Sequence, residues 1–223
     1  MHAKRDQKVM IAAAALFVLL HSSASSADEA RQQQFGKPHR FVKIAADGRP
    51  LPHAAKLGSG KNDWVCSVDE ETGLMWEIKT SDGGLRDKMH TYTPYDSNPQ
   101  TNGGWIGYKD ARSGHCNRAL MEDGSCNTES YIKALNEKKL CGYSDWRLPT
   151  VAELVAVSGQ SAPVADPHPP IALPNTTEGW YWTGVSRIGQ AVYSRVILLP
   201  PGGRAYFYDG SYLVRAVRTN AGK

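Results

Sequence analysis

The chain lacks the local signatures by which most enzymes announce themselves. It has no Gly-x-Ser-x-Gly elbow, no phosphate-binding glycine loop, no His-Glu-x-x-His and no dinucleotide fingerprint. Serine-hydrolase, nucleotide-dependent and zinc-peptidase chemistry therefore have no foothold, and no catalytic residue is assigned. Histidine is sparse: beyond the first 27 residues only His39, His53, His90, His115 and His168 occur, all in segments that read as loop. Cysteine is scarcer still, with four residues and no close Cys-x-x-Cys pair, so no zinc, other metal or cofactor is expected. After Leu20 no apolar run approaches the eighteen or so residues that would span a bilayer.

The one long apolar run lies at the start. Lys4, Arg5 and Lys8 form a basic head, Val9 to Leu20 an apolar core, and His21 to Ala27 a small, polar tail ending Ser25-Ser26-Ala27. That is the layout of a secretory signal peptide cleaved after about Ala27, which predicts a periplasmic or secreted protein. The segment carries three of the 26 basic and one of the 22 acidic residues, which leaves a net charge of +2. So small a charge gives no electrostatic case for nucleic acid or an anionic membrane. Residues 28–37 are polar and glutamine-rich and read as a flexible leader, followed by one domain over residues 38–220.

Cys66, Cys116, Cys126 and Cys141 all follow the signal, and an even count in an exported chain predicts two disulfides. Three pairings are possible. Cys116–Cys126, stapling a polar loop, with Cys66–Cys141 as the long bridge, is the favoured one. On the chain-entropy account the short loop contributes about 3 kcal/mol and the long one about 4.5 kcal/mol.

What the sequence does contain is centred on Leu140 to Leu154, LCGYSDWRLPTVAEL. Thr150 and Glu153 stand at capping-box spacing, and Pro149 just ahead of them costs no helical hydrogen bond. Val151, Leu154, Val155 and Val157 predict a short helix closing near Gly159. Upstream, Asn127 or Thr128 caps a helix through Tyr131, Ile132, Leu135 and Leu140, with Gly142 as its left-handed exit. Between them, Trp146 is expected to plug the core while Asp145 and Arg147 tie down the crossing.

Elsewhere the pattern is β. Phe41–Ile44 is a strand candidate before the turn Asp47-Gly48-Arg49-Pro50. Trp64 to Val68 and Leu74 to Lys79 form a hairpin around Asp69 to Gly73, whose three acids read as a solvated turn because no further acids follow at EF-hand spacing. Thr80 to Asn127 is nearly fifty residues without periodicity, rich in Gly, Asn, Tyr and Trp. Its aromatic rings either pack the loop onto the body or offer flat faces to sugars. After a proline-rich connection from Ser161 to Asn175, strands are predicted at 180–185, 191–199, 204–208 and 212–218, turned at Pro200–Gly203 and Asp209-Gly210. In the last, Leu213, Arg215 and Val217 alternate with Val214, Ala216 and Arg218. This succession is that of an α+β domain: an antiparallel sheet, two short helices and long irregular loops.

Several stretches then act together: Trp64-Val-Cys66, Thr72-Gly-Leu-Met-Trp-Glu77, Cys141-Gly-Tyr-Ser-Asp-Trp-Arg-Leu-Pro-Thr150, Tyr181-Trp182 and Val214-Arg-Ala-Val-Arg218. They resemble the Lcl C-terminal domain family, a bacterial domain of unknown function named for the C-terminal part of a collagen-like adhesin. The resemblance implies a C-type-lectin-like fold in which the first and last strands lie together, distantly similar to the formylglycine-generating enzymes. For the adhesin it implies binding of surface or matrix glycans. No cysteine follows Cys141, so the reactive pair of the formylglycine-generating enzymes is missing. The Glu-Pro-Asn, Gln-Pro-Asp and Trp-Asn-Asp motifs of calcium-dependent lectins are missing too.

The sequence thus predicts an exported, non-catalytic, disulfide-stapled binding module, with a glycan or an envelope or surface protein as partner. Ligand contact is expected on the long loop around Tyr95, Asn102, Trp105, Tyr108 and Lys109. Trp76, Asp145, Trp146, Arg147, Pro149, Thr150 and Glu153 are assigned structural parts. The alternative is a structural or accessory subunit of an envelope or pilus-like assembly. A periplasmic enzyme would need a polar cleft with convergent ionisable groups.

Overall fold

A computed structural model describes residues 40–109, 114–157, 173–184, 186–188, 191–193, 195–199, 203–206 and 210–219, with the strands between 186 and 206 described by their backbone pairing. The predicted signal peptide, leader and helix stop at Gly159 lie outside the described residues, as do residues 200–202 of the predicted Pro200–Gly203 turn and most of the proline-rich connection. In chain order the elements are strands β1 (Phe41–Ile44), β2 (Cys66–Asp69) and β3 (Leu74–Glu77), then helices α1 (Thr128–Glu137) and α2 (Val151–Val157). Strands β4 (Gly179–Trp182), β5 (Ser186–Ile188), β6 (Ala191–Tyr193), β7 (Arg195–Leu199), β8 (Gly203–Tyr206) and β9 (Val217–Thr219) follow.

All described strand pairs are antiparallel, and the domain is α+β. One sheet runs β1-β2-β3-β9, a second β4-β7-β8, and β5 and β6 form a separate hairpin. The first and last strands share a sheet but stand at its opposite edges, because the β2–β3 hairpin lies between them. The described residues from Phe41 onward belong to one compact unit.

Every residue of β3 is buried. A half-exposed strand alternates, so this means that both faces of the sheet are covered. Met75 packs into one core with Tyr131 and Leu135 of α1, Trp146 and Trp182. Its neighbour Trp76 points the other way, into a second core with Leu154 and Val157 of α2, Tyr181 and Leu213. Cys66–Cys141 ties β2 to the turn after α1 with its Cα atoms 6.5 Å apart, and Cys116–Cys126 closes the local loop at 5.6 Å.

The helix starts follow local chemistry. Asn127 caps α1 by accepting from the Ser130 amide, and the Thr150–Glu153 capping box forms at 3.2 and 2.7 Å. The end of α1 differs from the sequence expectation. The helix stops at Glu137, and the chain then turns through left-handed Lys139 (φ 48°), Cys141 (φ 53°) and Gly142 (φ 84°), so Gly142 is left-handed as expected but stands beyond the helix end. Cys141 must turn inward to reach Cys66, and Leu140 presents its carbonyl to the Trp146 indole at 3.0 Å. Gly48 permits the β1 turn to lie against this bend, since a Cβ there would stand 2.7 Å from the Cys141 carbonyl oxygen.

The C-terminal run also differs. Only Val217–Thr219 joins the first sheet, while Tyr212 and Leu213 bridge to Tyr92 and Tyr181. Residues 213–218 are all buried, so the alternation carries no inside and outside. The two arginines are tolerated because each is hydrogen-bonded where it is buried, Arg215 to the Glu77 carbonyl at 2.8 Å and Arg218 to Asp145. Likewise Asp69 is fully buried and accepts from Thr72 and the Glu71 amide, so of the three acids in the hairpin turn only Glu70 and Glu71 are exposed.

Candidate functional site

A cleft of about 890 Å³ opens between the long loop, one face of α1, the Trp146–Leu148 crossing and the end of β4. Its loop wall is fastened to the start of α1. The Tyr95 amide donates to the Thr128 hydroxyl at 3.0 Å, which donates in turn to the Tyr95 carbonyl at 2.8 Å. Two residues beyond Tyr95, the Ser97 amide donates to Glu129 at 2.5 Å. Between these anchors the loop folds on its own side chains. Asp96 accepts from the Asn98 amide and the Thr101 hydroxyl, and Asn98 accepts from the Gln100 amide. Gly107 lets the return strand pass, because a Cβ at its φ of 81° would collide with the Pro94 carbonyl.

The opposite wall is the crossing between the helices. Asn136 of α1 holds the Trp146 backbone from both sides, donating to its carbonyl at 3.0 Å and accepting from its amide at 2.7 Å. Arg147 forks onto Glu153 at 2.7 and 2.9 Å and also donates to the Leu148 carbonyl. The Pro149 carbonyl accepts from the Gly184 amide at 2.8 Å, which joins the crossing to the end of β4.

The residues expected to bind a ligand fall in different places. Tyr95 and Trp105 line the cleft, both half-buried. Asn102 is buried, its carboxamide spanning the loop from the Asp96 carbonyl to the Gly104 amide. Tyr108 lies outside the lining, exposed, with its ring edge-on to Trp105 at 5.8 Å. Lys109 is also outside it, its ammonium 3.8 Å from Asp123. Among the residues assigned structural parts, Trp76 and Trp146 lie in the two cores, and Trp146 and Arg147 also line the cleft.

The cleft contributions from α1 were missed. Glu129, Ile132, Lys133, Asn136 and Glu137 line it, at spacings of three and four residues that put them on one helical face. That signal was legible. Nothing local indicated which segment this face would meet.

A second polar constellation is sealed in the core. Glu77 accepts from the Tyr131 hydroxyl, from the Lys79 ammonium at 3.0 Å and from the Ala216 amide at 2.9 Å. Lys79 also donates to the Tyr131 hydroxyl at 2.8 Å and lies over its ring. Burial works to raise the Glu77 carboxyl, but Lys79 and the two hydrogen bonds outweigh it and hold it below its ordinary value. Burial brings the Lys79 ammonium down to about 8 against the pull of Glu77. Burial, with Glu77 beside it, pushes the Tyr131 phenol well up. None of these three side chains lines the cleft; the network ties α1 to the sheet.

Among the described residues, no three His, Cys, Asp or Glu side chains gather as metal ligands, and no helix is long and apolar enough to cross a membrane. No curated protein and no solved structure matches the chain. The family model described as the Lcl C-terminal domain matches residues 66–218, from the inner cysteine of the long disulfide to the arginine held by Asp145. Both helices, the whole lining of the cleft and every described strand except β1 and the last residue of β9 fall within that span, and the chain belongs to the Lcl C-terminal domain family.

Proposed function

We propose that this protein is an exported, non-catalytic binding module of C-type-lectin-like fold that seats a glycan in the cleft. The observation that carries the reading is the composition of the lining. Half-buried Tyr95 and Trp105 stand among the polar groups of Asp96, Asn98, Thr101 and Glu129. Ring faces stack on the apolar faces of sugars while carboxylates and amides take their hydroxyls, and a pocket of this kind orients a ligand by a few placed polar groups. The two disulfides favour an oxidising compartment, the periplasm or the cell exterior.

A second reading has one observation in its favour. Ile106 and Tyr108 are 49% and 44% exposed beside Trp105, and such a patch also suits an envelope or surface protein. A glycan-array screen of the oxidised protein, with Trp105→Ala as control, decides between them. Selective glycan binding lost in the variant supports the cleft. Binding retained in the variant keeps a lectin but moves its site, and no binding to any glycan turns the search to protein partners.

A further inference from the structure

The cleft read above as a saccharide site is uneven in charge. Five side chains charged at neutral pH line it: Asp96, Glu129, Glu137, Lys133 and Arg147. Both cations are committed. Arg147 has its fork on Glu153 and a further donor on the Leu148 carbonyl. Lys133 is paired with Glu122 and stands 3.9 Å from Glu137. Among the described residues, two of the carboxylates have no cation partner: Asp96 meets the Asn98 amide at 3.0 Å and the Thr101 hydroxyl at 2.7 Å, and Glu129 the Ser97 amide at 2.5 Å. The Ser97–Glu129 bond brings these two acids to the same stretch of wall, next to Tyr95.

Resting on the saccharide reading, we infer that the ligand is an amino sugar with a free ammonium group, selected over its N-acetylated and its anionic counterparts. An ammonium in this cleft meets these two carboxylates and the faces of Tyr95 and Trp105, which attract cations as well as sugar C–H groups. An N-acetyl group keeps the stacking and gives up the charge. A uronate or sulfate would be brought beside two like charges, while both cations of the described lining are already paired, and discrimination by repulsion is as effective as by attraction.

Calorimetric titration of the oxidised protein with three oligosaccharides of one length tests this: a glucosamine oligomer, its fully N-acetylated form and a uronic acid oligomer. The expected result is about tenfold tighter binding of the glucosamine oligomer than of the acetylated one, weakening in high salt, and none of the uronate. In Glu129→Gln and Asp96→Asn, which keep an acceptor oxygen for Ser97 and Thr101, the preference should fall while acetylated binding holds. Near-UV circular dichroism checks that each variant is folded. Equal or tighter binding of the acetylated or uronic oligomer, or a preference untouched in both variants, overturns the inference. Binding without amine preference that is lost in Trp105→Ala overturns the charge selection and leaves the saccharide site standing. No binding of any of the three by the folded protein, together with a blank glycan array, overturns both.

Discussion

Asp145 and Arg218 hold the C-terminal strand against the crossing between the helices, 73 residues apart, through two hydrogen bonds of 2.6 and 3.2 Å. The guanidinium also lies flat on the Tyr143 ring, 3.7 Å from its centroid. The exposures are unequal, with 6% for the arginine side chain and 58% for the aspartate. Arg218 lowers the Asp145 carboxyl below its usual range, first by hydrogen bonding and then, against partial burial, by its charge. The pair joins the Asp-Trp-Arg run to the C-terminal arginine: the first aims its acid at the second.

That asymmetry sets a ranking. Asp145→Asn should cost about 1 kcal/mol, since water screens the exposed carboxylate and the amide keeps one acceptor. Arg218→Ala loses the stacked, buried guanidinium and should cost about 2–3 kcal/mol. Urea unfolding curves of the two variants give the comparison, and equal midpoints would contradict it.

The sealed Glu77 network should be strongly non-additive. Glu77→Ala leaves the Lys79 ammonium, the Tyr131 hydroxyl and the Ala216 amide without their shared acceptor, at an expected cost of about 3–5 kcal/mol. Replacing both charges, as Glu77→Leu with Lys79→Met, should cost clearly less than the sum of the single changes. A double-mutant cycle read by chemical denaturation checks the coupling, and additive costs would show that the pair is not linked.

Lys79 should leave a signature above neutral pH. Its folded-state value of about 8 is below the ordinary 10.5, so between those values the unfolded chain binds more protons than the folded one. Stability contributed through this group therefore rises with pH across that window. The stability of wild type relative to Lys79→Met should grow from pH 7.5 to pH 9.5 in urea titrations. Glu77 acts at the other end. Its depressed carboxyl contributes above the unfolded value, and that contribution is lost as pH falls through the folded one.

The two disulfides should differ in both strength and access. The Cys66–Cys141 loop of 75 residues is worth about 4.5 kcal/mol on the chain-entropy account, against about 3 kcal/mol for the 10 residues of Cys116–Cys126. Both cysteines of the long bridge are fully buried, whereas Cys116 is half-exposed. Under a mild reductant the short bridge should open first, as read by alkylation and mass spectrometry. Loss of the long one, by serine substitution, should lower the melting temperature more.

Much of this architecture is written in short-range chemistry. The hairpin of β2 and β3, the Asn127 cap and the Thr150–Glu153 box involve groups within a few residues of each other, and the sequence determined them because local hydrogen bonding needs no other part of the chain. The cysteine count restricted the disulfides to three pairings, and loop size pointed to the one observed. Tertiary structure alone decided that both faces of β3 are covered, which leaves Glu77, Arg215 and Arg218 buried and hydrogen-bonded. It also ended α1 early, because Cys141 had to reach Cys66. The cleft belongs to this second class. Its walls come from four separate segments, and the bonds that assemble them, Tyr95 to Thr128 across 33 residues and Gly184 to Pro149, depend on which surfaces meet once the two cores have packed.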